Sequence, residues 1–416
     1  MSYDFTLLFL GCLLLTFVTR LWLKLRHIRH IRANRHAVPA DFADSITLAA
    51  HQKAADYTVD RNKSAIFGIF VEGALLLAFT LGGGLAWLHD FWSQRLDGLS
   101  YGLAMIFSVM LISSVIDLPL AIYRQFVIEA RHGFNRMSVG LFIADLARQA
   151  ALGAVIGTPV ILAVLWLMNA MGNLWWLYVW LFWSTVNLLF LFIYPTWIAP
   201  LFNKFSPLED GEMKTRIEAL LARCGFRASG LFVMDGSKRS SHGNAYFTGF
   251  GKNKRIVFFD TLLAHLAPPE VEAVLAHELG HFSKKHVIKR MAMMFATSLG
   301  FLWLLGQLID APWFFAGLGV PASNTVLALI LFFLVMPVFT FPFTPLLSYL
   351  SRCNEFEADA YAAQHAAAGD LVRALIKLYR DNAATLTPDP LHSLFYDSHP
   401  PAAQRIAQLQ RLQAAA

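Results

Sequence analysis

Long apolar stretches separated by polar segments dominate the hydropathy pattern of this chain. A helix that crosses a bilayer needs about 20 consecutive, mostly apolar residues, and seven stretches come close to or exceed that length. Their predicted bounds are Phe5–Leu23, Ala65–Leu88, Tyr101–Tyr123, Ala150–Met171, Leu174–Ile198, Met291–Ile309 and Thr325–Leu347. The first is the weakest, because Arg20 lies near one end, where its side chain can reach the interface. The pattern predicts an α-helical polytopic membrane protein with about seven transmembrane helices.

Two segments are polar enough to fold in water, Asn203–Arg290 and Ser351–Ala416. In the first, the runs "GLFVMD", "NAYFTGF" and "RIVFFD" are rich in β-formers and predict short strands between helices. The predicted division is a membrane region with five spans at 1–198, a small α+β region at 199–290, spans six and seven at 291–350, and C-terminal helices at 351–416.

The charged residues support a membrane protein and give its orientation. Only 15% of the 416 residues are charged, against about 25% in soluble domains. The net charge of +6 comes from basic residues that cluster beside the apolar stretches, after the first and third spans. Positive loops stay cytoplasmic, so the N-terminus is predicted outside, with both polar segments and the C-terminus in the cytoplasm. This distribution argues against a nucleic-acid partner.

The pentapeptide HELGH at 277–281 is the strongest chemical signal. It lies on a predicted helix that begins at Pro268–Pro269 and runs almost without a break into the sixth span. His277 and His281 are one turn apart, so both imidazoles can bind one zinc ion. Glu278 then lies beside the open position of the metal, where it can deprotonate water. Gly280 costs a helix about 1 kcal/mol relative to alanine, which indicates close approach of another group.

A catalytic zinc needs a third protein ligand, and the segment "SRCNEFEADAYAAQH" after the seventh span offers one. Glu355 could bind the metal, and Asp359, one turn later, could accept the second N–H of a ligating histidine. Glu357 is the rival ligand, but on a helix it points roughly 200° away from Glu355. A solvated helix face is the alternative interpretation of this segment.

HELGH, a pair of spans and then "SRCNEFEADAYA" resemble the type 1 CAAX prenyl protease family, which are integral-membrane zinc metallopeptidases. The stretches "ARHGFNR", "APLFNKFSPLEDGEMK", "GSKRSSHGNAYFTGFGKNKRIVFFDTLL" and "DSHPPAAQRI" are similar to it as well. The likeness extends over nearly the whole chain. It implies a zincin-like metallopeptidase part on the cytoplasmic side, spans that enclose a water-filled chamber, and zinc as the cofactor.

The resemblance also implies a role for each matching residue. The zinc ligands would be His277, His281 and Glu355, with Glu278 as general base and acid and Asp359 orienting a ligand.

Three further positions match groups that act on the substrate. Asn244 resembles the start of an edge strand that holds a peptide by β-augmentation. His399 and Arg405 resemble groups that stabilise the tetrahedral intermediate and hold the site together. His242 is expected at the polar rim of this strand, and His286 is expected to be a surface or packing histidine.

Other interpretations stay open at this point. A polytopic transporter or channel with a vestigial HELGH would also have spans with internal acids, and a zinc-binding scaffold would hold the metal without catalysis. Glu72 and Asp117 lie within predicted spans, where ionisable groups are usually functional. They either face the chamber or pair with a neighbouring span.

The expected partners are membrane lipid and a peptide or protein substrate that can carry a lipid. A multi-pass location in a bacterial inner membrane is expected, since "QRLQAAA" holds no dilysine-like retention signal. The three cysteines, Cys12, Cys224 and Cys353, form no CxxC pair and are expected to be unpaired.

Overall fold

The computed structural model describes residues 1–248, 255–320 and 323–414, and most of these residues are helical. The α-helices are α1 Ser2–Asn34, α2 Leu48–Phe79, α3 Gly84–Ser93, α4 Gly98–Tyr123, α5 Val139–Ala170, α6 Trp175–Ile193, α7 Ala199–Phe202, α8 Glu212–Arg223, α9 Asp260–His265, α10 Pro268–Ser283, α11 His286–Leu308, α12 Pro312–Gly317, α13 Thr325–Thr340, α14 Thr344–His365, α15 Ala368–Asp381, α16 Pro390–Tyr396 and α17 Ala402–Ala414. The strands are β1 Phe205–Pro207, β2 Gly230–Met234, β3 Ala245–Thr248 and β4 Arg255–Phe259.

Among the described residues, seven helical segments are long and apolar enough to cross a membrane, which confirms the predicted number of spans. They are Ser2–Asn34, Leu48–Phe79, Gly98–Glu129, Val139–Ala170, Gly172–Phe202, His286–Leu308 and Thr325–His365. Each is longer than its predicted apolar stretch. The 33 residues of α1 span roughly 50 Å at 1.5 Å per residue, whereas the apolar core of a bilayer is about 30 Å thick. The helices therefore extend beyond the membrane and carry basic residues there.

The second span differs from its prediction. The apolar run suggested Ala65–Leu88, but α2 ends at Phe79. The cause is a glycine triplet that folds back onto the last turn. A Cβ on Gly84 would lie 2.7 Å from the Ala78 carbonyl oxygen, and Gly83 has a φ of 78°. Only glycine fits this turn, so the helix ends before the apolar run does.

The helices that carry the candidate chemistry also have breaks. The predicted continuous helix through HELGH and the sixth span is divided at Lys285, whose φ of 59° separates α10 from α11. The seventh span is α13 followed by a short 3₁₀ turn and α14. Because α14 continues out of the apolar region as far as His365, it carries the acidic motif back to α10.

A four-stranded sheet confirms the small α+β part. Its strand order is β1-β2-β4-β3, with β2 and β4 parallel and the other neighbours antiparallel. The strands β2, β3 and β4 lie in the three predicted runs, whereas β1 was not predicted. Gly249 and Phe250 of "NAYFTGF" lie outside the described residues. One buried apolar cluster joins the sheet to α8, α10, α15 and α17, and it includes Ile217, Phe258, Leu275, Leu371 and Leu409. β3 is one of the two edge strands of the sheet, and it lies beside α10.

A separate apolar cluster packs the membrane helices, and it includes Met105, Leu165, Phe314, Leu327 and Phe332. The three cysteines are free thiols, as expected. The candidate site lies where α10, α14 and α17 meet.

Candidate metal centre

The helix α10 holds HELGH in a fixed position because both its start and its apolar face are anchored. The carboxylate of Glu270 accepts a hydrogen bond from the Ala267 amide at 2.8 Å and forms an ion pair with Lys377 of α15 at 2.7 Å. Such a carboxylate in the first turn satisfies an unpaired helical N–H and complements the helix dipole. Val271, Leu275 and Leu279 are each at most 1% exposed and face the neighbouring helices.

His277, His281 and Glu355, the three residues predicted as metal ligands, lie together. The two histidine Nε2 atoms are 3.2 Å apart. The Glu355 carboxylate lies 3.5 Å from Nε2 of His277 and 3.3 Å from Nε2 of His281. A tetrahedral ion with bonds of about 2.0–2.1 Å has ligand atoms roughly 3.3–3.4 Å apart. The two nitrogens and the two carboxylate oxygens thus have spacings close to those of a zinc site, and these three residues are a group among the described residues that could hold a metal.

The charges of the site also fit a cation. Glu355 is 4% exposed, and its Oε2 is buried without a hydrogen bond of good geometry. Burial lowers the pKa of His277, but the carboxylates of Asp359 and Glu355 outweigh this and raise that pKa to about 9. Two buried carboxylates therefore favour positive charge at this point, as a divalent metal would supply.

Asp359 and Arg405 hold the His277 ring in orientation. Oδ1 of Asp359 lies 2.8 Å from Nδ1 of His277, which leaves Nε2 of that ring facing Glu355. Arg405 of α17 donates two hydrogen bonds to Asp359, at 2.8 and 2.6 Å. Asp359 is 0% and Arg405 6% exposed, so this bidentate pair is buried. A carboxylate behind a ligating histidine fixes the tautomer and orientation of the ring.

His281, the other histidine of the pentapeptide, contacts a corresponding pair of side chains that the sequence did not predict. Nδ1 of His281 lies 3.0 Å from Nδ1 of His286, and Nε2 of His286 lies 3.0 Å from the Glu357 carboxylate. His286 is 1% exposed, so it is a packing histidine rather than a surface one. Glu357, the rival ligand, contacts His286 and not the three donor atoms.

Glu278 and His399 line a cavity of about 890 Å³ together with His281 and Glu355. Burial raises the pKa of Glu278, which brings a carboxylate closer to the range useful for a general base. Nδ1 of His399 lies 2.7 Å from Glu355, while its side chain stays 62% exposed. The same cavity is lined by Tyr246 of the outer strand β3.

Comparison with known proteins identifies the family. A family model described as "CAAX prenyl protease N-terminal, five membrane helices" matches residues 27–204, and one described as "Peptidase family M48" matches residues 207–413. A CAAX prenyl protease 1 homolog of Arabidopsis thaliana is 33% identical over 98% of this chain and 97% of its own length. The chain belongs to peptidase family M48.

Other relatives support the same assignment for this M48 peptidase. The human CAAX prenyl protease 1 homolog is 32% identical over 97% of this chain and 96% of the relative. The CAAX prenyl protease 1 of Saccharomyces cerevisiae is 38% identical over 72% of this chain and 69% of the relative. A crystal structure of S. mikatae Ste24p has a TM-score of 0.92 at 30% identity, covering 97% of this chain and 99% of that one.

Membership of this family tests the expectations about enzyme class, cofactor and location. The chain is a multi-pass membrane peptidase of CAAX prenyl protease type, so the transporter interpretation is set aside. A metallopeptidase family implies a metal cofactor. The relatives named above are eukaryotic, and they give no support to a bacterial inner membrane.

Asn244, Glu72 and Asp117 lie away from the three donor atoms. Asn244 is exposed at the start of β3, and its side chain accepts a hydrogen bond from the Ala245 amide at 2.8 Å. Glu72 pairs with Arg20 of α1 at 2.8 Å. Glu72 and Asp117 both line a cavity of about 990 Å³ between the spans. Glu72 therefore faces the cavity and pairs with a neighbouring span, but the pair is not buried, since the Glu72 side chain is 56% exposed.

Proposed function

We propose that this M48 peptidase is a zinc-dependent endopeptidase that cleaves peptide bonds of membrane-associated proteins, including prenylated CaaX-type substrates. The observation that carries the proposal is the spacing of 3.2–3.5 Å among the donor atoms of His277, His281 and Glu355. Zinc bound by these three residues supplies a Lewis acid for the scissile carbonyl and lowers the pKa of a water molecule.

The protein residues supply the proton transfers. Glu278 accepts a proton from the water as its oxygen bonds to the carbonyl carbon. The same carboxylic acid then gives the proton to the leaving nitrogen as the C–N bond breaks, so the proton returns to the products and Glu278 is again ionised. Its raised pKa lowers the cost of holding the proton between the two steps.

His399 and Arg405 act differently in this proposal. His399 is exposed beside Glu355, so its imidazole can donate a hydrogen bond to the negative oxygen that develops on the substrate. Arg405 is buried in its bidentate pair with Asp359, so it holds the ligand shell rather than the substrate. The backbone of Asn244 and β3 receives the peptide as an added strand, because among the described residues β3 is the last strand of the sheet and pairs only with β4.

The proposed orientation has the site on the cytoplasmic side. Basic residues cluster after the first and third apolar stretches predicted from the sequence, and such clusters are retained in the cytoplasm. Lys24 and Arg61 line the same cavity as Asn244, which supports this orientation. The substrates are accordingly peptide segments presented at the cytoplasmic surface of the membrane.

The decisive test separates metal binding from cleavage. Glu278→Gln should keep about one zinc per chain but lose roughly 100-fold or more in kcat, because it removes the proton carrier. Glu355→Gln should lose zinc, while Glu218→Gln on the exposed face of α8 should change neither property. Zinc is measured by elemental analysis and cleavage by mass spectrometry of a peptide library. Normal turnover in Glu278→Gln would refute the mechanism, and stoichiometric zinc without cleavage in the unmodified protein would favour a scaffold.

A further inference from the structure

A cavity between two of the membrane-crossing helices lies apart from the metal centre. The helix α2 and the segment Gly98–Glu129 are both long and apolar enough to span a bilayer, and a cavity of about 410 Å³ opens between them. Its wall includes Lys63 and Phe67 of α2, and Arg131 beyond the end of the other helix. We call it the interhelical pocket. Its volume is in the range of small-ligand sites.

The interhelical pocket has a polar end and an apolar end. Lys63 and Arg131 lie outside the apolar stretches predicted for the second and third spans. Phe67, Leu120 and Tyr123 form the apolar part of the wall, and Phe67 is 60% and Tyr123 45% exposed. Tyrosine is typical of the boundary between the headgroups and the hydrocarbon. The pocket therefore lies across this boundary, with its cations on the headgroup side.

A carboxylate holds the two cations together at the polar end. Asp60 lies 2.9 Å from Nη1 of Arg131 and 3.5 Å from Nζ of Lys63. These three side chains carry a net charge of +1, so one negative charge would neutralise them. The hydroxyl oxygen of Ser64, also on the wall, accepts a hydrogen bond from Nε of Arg124 at 2.9 Å. A third cation thus contacts the pocket from behind.

Both cations keep N–H groups for a ligand. Arg131 donates to Asp60 through Nη1, which leaves most of its five N–H groups. Lys63 contacts the same carboxylate at 3.5 Å, and within the described ranges Asp60 is the ion-pair partner of each. The side chains of Lys63 and Arg131 are 55% and 54% exposed. They can therefore form charge-assisted hydrogen bonds with the oxygens of a phosphate.

We propose that the interhelical pocket binds the headgroup of an anionic phospholipid, with its phosphate at Lys63 and Arg131 and its acyl chain against Phe67 and Leu120. Lipid is the occupant because the pocket opens at the headgroup level between two spans, and its apolar end offers nothing to a soluble anion. Basic pockets between transmembrane helices on the cytoplasmic side bind such headgroups, and the cytoplasmic leaflet holds the anionic lipids. The proposed orientation of the chain places the pocket there.

Two lipids with the same acyl chains test this site, namely dioleoylphosphatidylglycerol, with one net negative charge, and zwitterionic dioleoylphosphatidylcholine. Native mass spectrometry of the full-length protein, titrated with each in detergent, measures the affinity for the first bound lipid. The anionic lipid should bind at least tenfold more tightly, because each basic residue near an anionic headgroup contributes roughly fivefold. Lys63→Gln combined with Arg131→Gln should remove this preference.

Arg29→Gln combined with Arg32→Gln is the matched control. It removes the same charge from two exposed residues of α1 that do not line the pocket, so it should keep the preference. An equal loss in this control would show a diffuse attraction and overturn the site.

Three other results would also refute the proposal. They are equal affinity for the two lipids, a preference that persists without Lys63 and Arg131, and displacement of the lipid by inorganic phosphate at an equal concentration. Should the double variant fail to fold, Lys63→Gln alone must reduce the preference and Lys63→Arg must keep it; any other pair of results contradicts the site. Lipid binding does not require cleavage, so the metal centre and this pocket are tested independently.

Discussion

Gly280 is the position where the metal centre depends most directly on helix packing. It lies between the two ligating histidines on α10 and faces α14, between Glu355 and Asp359. A Cβ added there would lie 2.8 Å from Cα and 3.0 Å from the carbonyl oxygen of Ala358, and 3.1 Å from Cβ of Tyr361. The first distance is about 0.6 Å short of the 3.4 Å at which ordinary contact begins. Since these atoms cannot rotate away, Gly280→Ala must push α10 and α14 apart.

The magnitude follows from two opposing effects. Alanine favours a helix interior over glycine by about 1 kcal/mol, whereas overpacking of a tight contact costs roughly 1–3 kcal/mol. The net loss of unfolding free energy is therefore about 0–2 kcal/mol. Metal binding is more sensitive, because metal–ligand distances tolerate only about 0.2 Å and the required shift is three times larger. Glu355 moves with α14 while both histidines stay on α10, so the site loses its third ligand.

The assay is chelator competition for zinc, with thermal unfolding recorded with and without the metal. Gly280→Ala should weaken zinc binding at least tenfold and reduce the increase in melting temperature that zinc produces. Gly300→Ala in α11 is the matched control, because a Cβ there meets nothing within 4 Å. It should bind zinc normally and be as stable as the unmodified chain or more so. Unchanged zinc affinity in Gly280→Ala would refute the claim that the close helix contact sets the position of Glu355.

Two further predictions concern histidines near the site. His286→Ala should weaken zinc binding by roughly 10- to 100-fold, because it removes the group behind His281. Glu357→Gln, which keeps an acceptor for His286, should lose less in the same competition assay, and equal affinities in all three proteins would exclude an orienting role. Burial, aided by the charge of Lys24, lowers the pKa of His392 from 6.5 to about 2, so the folded state favours the neutral ring. As the pH falls from 6.5 towards 2, the unfolded state takes up a proton at this histidine and the folded state does not. The free energy of unfolding therefore falls, by about 2 kcal/mol at pH 5. Between pH 7 and pH 5, thermal unfolding of His392→Gln should therefore change less than that of the unmodified protein, and an equal change in both would contradict this pKa.

The spans were predictable because apolar length is a strong local signal, but their ends were not. The second span illustrates why. Hydropathy counts Gly82, Gly83 and Gly84 as neutral, whereas the backbone uses them to turn the chain back against Ala78. The basic residues after the first span appeared to be loop residues, yet α1 and α2 continue as helices through most of this segment. Where a helix stops depends on contacts that the sequence pattern does not contain.

The candidate site also has residues that the sequence predicted and one contact that it did not. Spacing alone placed His277 beside His281, and helical phase alone favoured Glu355 over Glu357. The role of His286 depends instead on the break at Lys285. In a continuous helix, a residue five positions after His281 would point about 140° away from it. The break turns the chain so that the two Nδ1 atoms come within 3.0 Å. An unbroken helix was the natural prediction, and it concealed this contact.

The metal centre joins the α+β part to the membrane region, because its ligand shell is divided between them. The helix α14 is the last part of the seventh span, and Glu355 lies eleven residues after its start at Thr344, roughly 16 Å along its axis. The helix α11 starts at His286, behind the second ligand, and becomes the sixth span. Any relative movement of these two spans therefore changes the distance between Glu355 and His281. The local pentapeptide supplies two donors, but the geometry of the third depends on how the membrane helices pack.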